Sequence, residues 1–266
     1  MKFLVMTDIE GVTGVTTFPQ AEKSDFGKEM LMNDLKAVLA GIKAAGAEAV
    51  VYDMHTDGRN VDVTQIDAPV VMGKPIIADI YRGVGAENID GLFLLGLHTM
   101  QHVPGALLQH SYLAEYDAIY LNGMKVGEIG MEAALAGSFD IPLKFVSGDD
   151  MGCQEGKDII ENLVTCAVKK SLTIDTAVCL APSQTSVMLA KAAQDAVAAD
   201  IKPFKVEGPY DIRIEYSDCK YLHKMKELHP EIFIDDRTVQ MKGDNLYATW
   251  AQYLLYEKEM VLACQK

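Results

Sequence analysis

The chain has 266 residues, 38 acidic and 24 basic side chains, and a formal net charge of −14. It is 49% hydrophobic and 23% charged, with 21 Gly and 9 Pro, a globular composition that excludes collagen-like repeats, coiled coil and long disorder. So acidic a chain offers no broad phosphate-binding surface, and no nucleic-acid partner is expected.

The first apolar run, Phe3-Leu4-Val5-Met6, meets Asp8 and Glu10 almost at once. A signal-peptide core needs roughly 7–15 apolar residues and a membrane-spanning helix roughly 18 or more. No export segment and no membrane association are expected, and the chain reads as a soluble cytoplasmic protein. Cys153, Cys166, Cys179, Cys219 and Cys264 form no CxxC pair and read as reduced thiols, not a disulfide framework.

The run 3–6 predicts a strand buried on both faces. Leu31, Leu35, Val38, Leu39 and Ile42 keep helical spacing, and Gly46 suits the stop. A second strand is expected over 49–52, a weaker one over 70–72, and a helical stretch over 76–81. The run 92–95 is a further core strand. Segments 118–121 and 124–126 flank Asn122-Gly123, a two-residue hairpin signal. A helix from Glu128 through Met131, Ala134 and Leu135 to Gly137 precedes a strand over 143–146. This alternation predicts an α/β fold, with a layered domain over 1–150 built on a mostly parallel sheet.

Beyond 150 the texture changes. A helix-prone segment over 154–163 leads to an Ala-rich helix over 181–199, with Pro182 near its start. Ile212, Ile214 and Tyr216 alternate with Arg213 and Glu215 as in a half-exposed strand. Leu246, Trp250, Tyr253, Leu254 and Val261 form a helical apolar stripe behind an Asp244 cap, and the stripe reads as core. A smaller α+β module over 151–266 is expected, contributing to oligomerisation and to the substrate pocket.

Sites in open α/β sheets gather at the carboxyl ends of the strands. The first strand is followed by Thr7-Asp8-Ile9-Glu10-Gly11 and the second by Asp53-Met54-His55. Gly96-Leu97-His98 follows the 92–95 run, His110 comes further on, and Gly127-Glu128 follows the hairpin. Asp8 and Glu10, alternating on an extended chain, can point the same way. Such a pair repels unless a cation or proton lies between. Carboxylates mixed with imidazoles suit zinc or another divalent transition metal. The set offers more ligands than one tetrahedral ion uses, which points to two metals, a bridging carboxylate such as Asp8 and a metal-activated water as nucleophile.

Each residue alone has a plainer reading. An Asp after a strand forms a turn or cap, a His there is commonly a hydrogen-bonded structural residue, and Glu128 suits a helix dipole. Those readings weaken jointly, because all the residues fall at one predicted rim. Asp53 reads as a support for His55 or as a turn residue. His223 and His229 lie in or near a lysine-rich stretch and read as structural or surface residues, while His102 receives no role.

Asp8-Ile9-Glu10-Gly11-Val12-Thr13 also resembles the first motif of haloacid-dehalogenase-type phosphatases, where an Asp nucleophile works with magnesium. Gly148-Asp149-Asp150 resembles that family's acidic metal motif. That chemistry has no use for His55, His98 and His110, and Asp53-Met54-His55 stands where a phosphate-binding Ser or Thr would follow the second strand. A magnesium-dependent phosphatase with Asp8 as nucleophile is therefore the second reading.

Taken in order, the motifs resemble the zinc D-aminopeptidases, whose founding member is associated with a dipeptide-transport operon. The family signature Ser-x-Asp-x-Glu-Gly is met by Met6-Thr7-Asp8-Ile9-Glu10-Gly11, with Met in place of Ser. Tyr52-Asp53-Met54-His55, Leu95-Gly96-Leu97-His98, Pro104-Gly105, His110-Ser111, Asn122-Gly123, Val126-Gly127-Glu128-Ile129-Gly130 and Val146-Ser147-Gly148-Asp149-Asp150 match in turn. The resemblance covers most of the chain and is concentrated before 150. It implies two zinc ions per subunit, with Asp8 bridging them and Glu10, His55, His98 and Glu128 completing the shell. His110 would be the catalytic base or nucleophile. It also implies hydrolysis of short peptides or amides from a free N-terminus, with D-residues preferred, by a homo-oligomer (a decamer) acting on small peptides.

Overall fold

Alternation within the first strand decides the layering. In β1 (Lys2–Thr7), Phe3 and Val5 join one apolar core and Leu4 and Met6 the other, all four fully buried. A strand apolar on both faces needs cover on both. The computed structural model, which describes residues 1–73 and 89–265, provides it. β1 pairs in parallel with β2 (Glu48–Asp53) on one side and β4 (Gly91–Leu97) on the other. β3 (Val70–Val71), β7 (Leu143–Asp149) and β8 (Val164–Thr173) extend the parallel sheet, and β9 (Thr176–Cys179) closes one edge antiparallel to β8. The order is β3-β2-β1-β4-β7-β8-β9. The chain moves outward from β1 through β2, then returns to place β4 on the other side of β1. That reversal is the switch point at which open α/β sheets bind ligands.

The Phe3 face is covered by α2 (Asp25–Ala44) and α5 (Pro182–Ala198). The short α1 (Phe18–Lys23) precedes α2, and the Ser24 hydroxyl caps α2 by accepting from the Gly27 amide. A Cβ at Gly41 would lie 2.2 Å from the Ala190 carbonyl oxygen, so glycine there permits the close crossing of α2 and α5. On the Leu4 face lie α3 (Glu128–Gly137) and a second sheet of order β11-β10-β5-β6. Its strands are β5 (Tyr116–Leu121), β6 (Met124–Val126), β10 (Tyr210–Tyr216) and β11 (Thr238–Gly243), all antiparallel. Asn122 and Gly123 turn the β5–β6 hairpin with φ of 50° and 82°. α7 (Leu246–Cys264) adds Trp250 and Tyr253 to this core, while α4 (Asp150–Ile159) follows β7 and α6 (Lys220–Leu228) precedes β11.

The α/β architecture with a mostly parallel sheet is thus present, and the texture change near 150 falls at the β7–α4 junction. Strands from either side of that junction share both sheets: β8 and β9 continue the large sheet, and β10 and β11 pair beside β5. The helix expected over 154–163 instead starts at Asp150, because the Asp149 carboxylate caps it through the Met151 and Gly152 amides. β8, β9 and β11 were unexpected. In β8, buried Lys169 and Ser171 interrupt what would otherwise read as an apolar run. α7 is capped by Asn245, not Asp244: the Asn245 side chain accepts from the Ala248 amide. The stretch expected over 76–81 lies outside the described residues. Among the described residues no helix is long and apolar enough to cross a membrane.

Candidate active site

β1 ends at Thr7, so Asp8 and Glu10 occupy a turn and not the extended chain expected for them. Contact with the end of β4 shapes that turn. The Asp8 amide donates to the Leu95 carbonyl (2.8 Å) and the Gly11 amide to the Gly96 carbonyl (2.7 Å). A Cβ on Gly11 would stand 2.0 Å from the Leu97 oxygen, and one on Gly96 2.3 Å from the Asp8 oxygen. The glycine of the Asp-x-Glu-Gly motif is therefore a demand of backbone approach. From β8, the buried Lys169 ammonium donates to the carbonyls of Glu10 (2.5 Å), Val12 (2.9 Å) and Val15. Burial pushes its pKa down to about 8, against the pull of Asp149 and other nearby acidic groups.

His55 follows β2 on a loop organised by Asp53. The Asp53 carboxylate accepts from the Asn60 amide (2.5 Å) and the Val61 amide (2.8 Å), and the Asn60 side chain donates to the His55 carbonyl (2.8 Å). Asp53 therefore shapes the loop that holds His55. His98 follows β4, and its Nδ1 lies 3.1 Å from the Thr99 carbonyl. A carbonyl only accepts, so Nδ1 carries the proton and Nε2 is left facing the cluster. Glu128 opens α3, where its Oε1 accepts from the Tyr112 amide (2.7 Å). The ring of His110 stacks on His98 with centroids 4.0 Å apart and planes 10° from parallel. Phe18 meets the His110 ring edge-on at 5.3 Å. Nδ1 of His110 donates to the Leu108 carbonyl (2.9 Å), which leaves Nε2 as an acceptor.

These loops bring the expected residues together in two adjoining groups. Asp8 Oδ1 lies 2.9 Å and Glu10 Oε2 3.2 Å from His55 Nδ1. Asp8 Oδ2 and Glu128 Oε1 each lie 3.4 Å from His98 Nε2. Asp8, Glu10, His55, His98 and Glu128 are all buried, at 5% exposure or less, and His110 is half-buried. Potential ligand atoms of Asp8, Glu10 and His98 lie within 4.8 Å of one another, as do those of His98, His110 and Glu128.

The electrostatics are those of closely packed carboxylates and imidazoles that shift one another's protonation. Burial raises Asp8, but the adjacent His55 and His98 imidazoles override it and hold the carboxyl well below its usual range. Glu128 is lowered in the same way, against burial, chiefly by His98. Burial lowers His55, yet the Asp8 and Glu10 carboxylates raise it to about 10. His98 is driven well above the ordinary imidazole value by Asp8 and Glu128, again against burial. Imidazolium protons here occupy the place of positive charge between carboxylates. The Glu10 Oε2, His55 Nε2 and His98 Nε2 atoms are buried with no aligned hydrogen-bond partner. Buried polar atoms are rarely left so in folded proteins. An acid–imidazole set with orphaned atoms fits a divalent transition metal.

The remaining sequence candidates lie elsewhere. His102 is exposed, 3.4 Å from Asp117. His223 is exposed beside Asp218, and His229 ends α6 with its ring against Tyr256. Asp149 caps α4 and accepts from the Ser171 hydroxyl, and Asp150 accepts from the Ser171 amide. Sequence reasoning missed Lys169, Thr99 and Tyr112. A lysine directly after the apolar stretch 166–168, inside β8, was the signal for the first, while nothing local marks the other two.

Comparison with known proteins gives the family. A family model described as D-aminopeptidase matches residues 1–254. The chain is 28% identical over 196 residues to a D-aminopeptidase of Bacillus subtilis (strain 168), covering 71% of each chain. Its fold matches that of the zinc-dependent D-aminopeptidase DppA from Bacillus subtilis, a self-compartmentalizing protease, with a TM-score of 0.88, 24% identity and 98% of both chains covered. Residues 1–254 carry both the buried acid–imidazole cluster and the family match, and the chain belongs to the D-aminopeptidase family of peptide hydrolases.

Proposed function

We propose that this chain is a dinuclear zinc aminopeptidase that releases N-terminal residues, D-residues preferentially, from short peptides or amides. One observation carries the two-metal reading: the oxygens of Asp8 face different groups, Oδ1 toward His55 with Glu10 and Oδ2 toward His98 with Glu128. A carboxylate so placed would be shared by two ions, and Glu10, His55, His98 and Glu128 would complete the set that holds them. Zinc held there would supply Lewis acidity, to polarise a carbonyl and make water nucleophilic near neutral pH.

The chain's own residues supply the rest. His110, locked by Leu108 and by its ring neighbours, presents Nε2 to take a proton from the nucleophile and return it to the departing amine. Burial of the cluster keeps bulk water from screening its charges. The 151–266 segment contributes to the pocket: Trp250 of α7 packs 5.2 Å from Tyr112, whose amide holds Glu128. It also contributes to a homo-oligomer, in keeping with the self-compartmentalizing relative.

The test is metal analysis of the purified protein combined with hydrolysis of D-alanyl-p-nitroanilide, L-alanyl-p-nitroanilide and p-nitrophenyl phosphate. About two zinc per chain and cleavage of the D-anilide are expected. Magnesium alone with phosphate release would overturn the proposal in favour of the phosphatase.

A further inference from the structure

We propose that Glu155 is a positioning residue that sets both His98 and His110 by fixing the Thr99-Met100 turn between them; this rests on the zinc-peptidase reading above. α4 lies directly against the exit of β4. A Cβ on Gly152 would come 3.0 Å from the His98 carbonyl carbon and 3.2 Å from its Cα, so the helix backbone abuts the residue that carries the imidazole. Three residues on, Glu155 Oε2 accepts from the Thr99 hydroxyl (2.8 Å) and the Met100 amide (2.7 Å).

The Thr99 carbonyl, oriented by those bonds, performs two tasks. It accepts from His98 Nδ1 (3.1 Å), which directs Nε2 toward Asp8 and Glu128. It also accepts from the His110 amide (3.3 Å), which anchors the loop that stacks the second imidazole on the first. The other Glu155 oxygen sits at the Gly127 backbone, where an added Cβ would come within 2.6 Å of it, one residue before Glu128. One carboxylate thus touches the segments bearing His98 and Glu128 and reaches His110 through Thr99. Glu155 and Thr99 are both buried, so no solvent competes for these bonds. Groups that hydrogen-bond in this way set the orientation of metal-binding imidazoles.

Glu155→Ala and Glu155→Gln test the proposal against wild type, each loaded with cobalt(II) and assayed on D-alanyl-p-nitroanilide. Because one oxygen accepts both bonds, the Gln amide oxygen can replace it. The Ala variant is expected to keep the wild-type metal content and KM while kcat falls about 10–100-fold, with a shifted cobalt absorption spectrum. The Gln variant should recover most of both. In the metal-free proteins, amide exchange of the 98–110 segment should speed up in Glu155→Ala and stay slow in Glu155→Gln. Should Glu155→Ala fail to fold, Thr99→Val removes one of the two bonds and should shift the cobalt spectrum in the same direction with a smaller loss of kcat.

An unchanged cobalt spectrum and unchanged exchange in folded Glu155→Ala, or in Thr99→Val where that variant stands in, would overturn the proposal. So would loss of metal from both Glu155 variants, since Glu155 would then be a ligand. If wild type itself binds no metal and cleaves no anilide, the zinc-peptidase reading fails, while the exchange measurement still decides whether Glu155 fixes the turn.

Discussion

Two of the polar clusters buried among the described residues are treated in opposite ways. Between the antiparallel sheet and α7, the hydroxyls of Tyr216 and Tyr253 lie 2.6 Å apart, Tyr253 donates to Tyr116 (2.5 Å), and Tyr116 donates to Glu257 (2.5 Å). Burial raises the pKa of all three phenols, so they stay neutral. At the switch point of the large sheet, three carboxylates and two imidazoles converge, and Glu10 Oε2, His55 Nε2 and His98 Nε2 remain without aligned partners. A chain of hydrogen bonds in which every phenol has a partner rigidifies a core. A cluster of unbalanced charge with orphaned atoms costs stability until something completes it. The tyrosines are architecture, and the rim is where the proposed function places a ligand.

That contrast can be broken by experiment. The largest effect belongs to Asp8→Ala, which should lose both ions and drop turnover to background; two tightly retained ions would show that Asp8 does not bridge. His110→Ala should keep its metal and lose turnover by about 10²–10⁴-fold, and loss of zinc from it would make His110 a ligand. Stripping the metal with a chelator should lower stability by about 4 kcal/mol, if the ion had been present at a thousandfold excess over its dissociation constant. Calorimetry at matched protein concentration reads this directly.

The stripped protein should also acquire a distinctive pH dependence. The folded pKa of His55, about 10, lies above the unfolded value. Its contribution is therefore complete below roughly pH 6.5 and is lost as pH rises through about 10. Metal affinity should run the other way and strengthen as pH rises, because binding displaces those protons. A stripped protein that grows more stable from pH 7 to pH 10 would contradict the assignment. The smallest effect is expected of Tyr253→Phe, which breaks the phenol chain. It should cost about 1–3 kcal/mol of stability and leave metal content and turnover as in wild type. A change in either would mean that the two clusters are coupled.

Much of the rim was legible in the chain. Asp8, Glu10, His55, His98 and Glu128 each stand just past an apolar run or hairpin, and a residue just past a strand is confined to that strand's end. The helix Glu128–Gly137 and the Asn122-Gly123 hairpin were also readable, because their signals are local. The geometric argument for Asp8 and Glu10 was not: they meet through a turn pinned by Gly11 and Gly96, not by strand alternation. β8 escaped notice because Lys169 and Ser171 lie inside it, and their partners are far away in sequence.

The amino-acid sequence by itself determined the layered α/β class, the strand exits on which the acids and imidazoles sit, and the ordered motifs of the family, since these follow from short-range periodicity and composition. Only the tertiary structure decided which oxygen of Asp8 faces which imidazole, that His110 stacks on His98, and that Lys169 and Glu155 brace the loops from outside. Those facts depend on backbone segments many residues apart meeting at hydrogen-bond distance. Local pattern carries no record of such distances, because the strand order that creates them is set by how two apolar faces are covered at once.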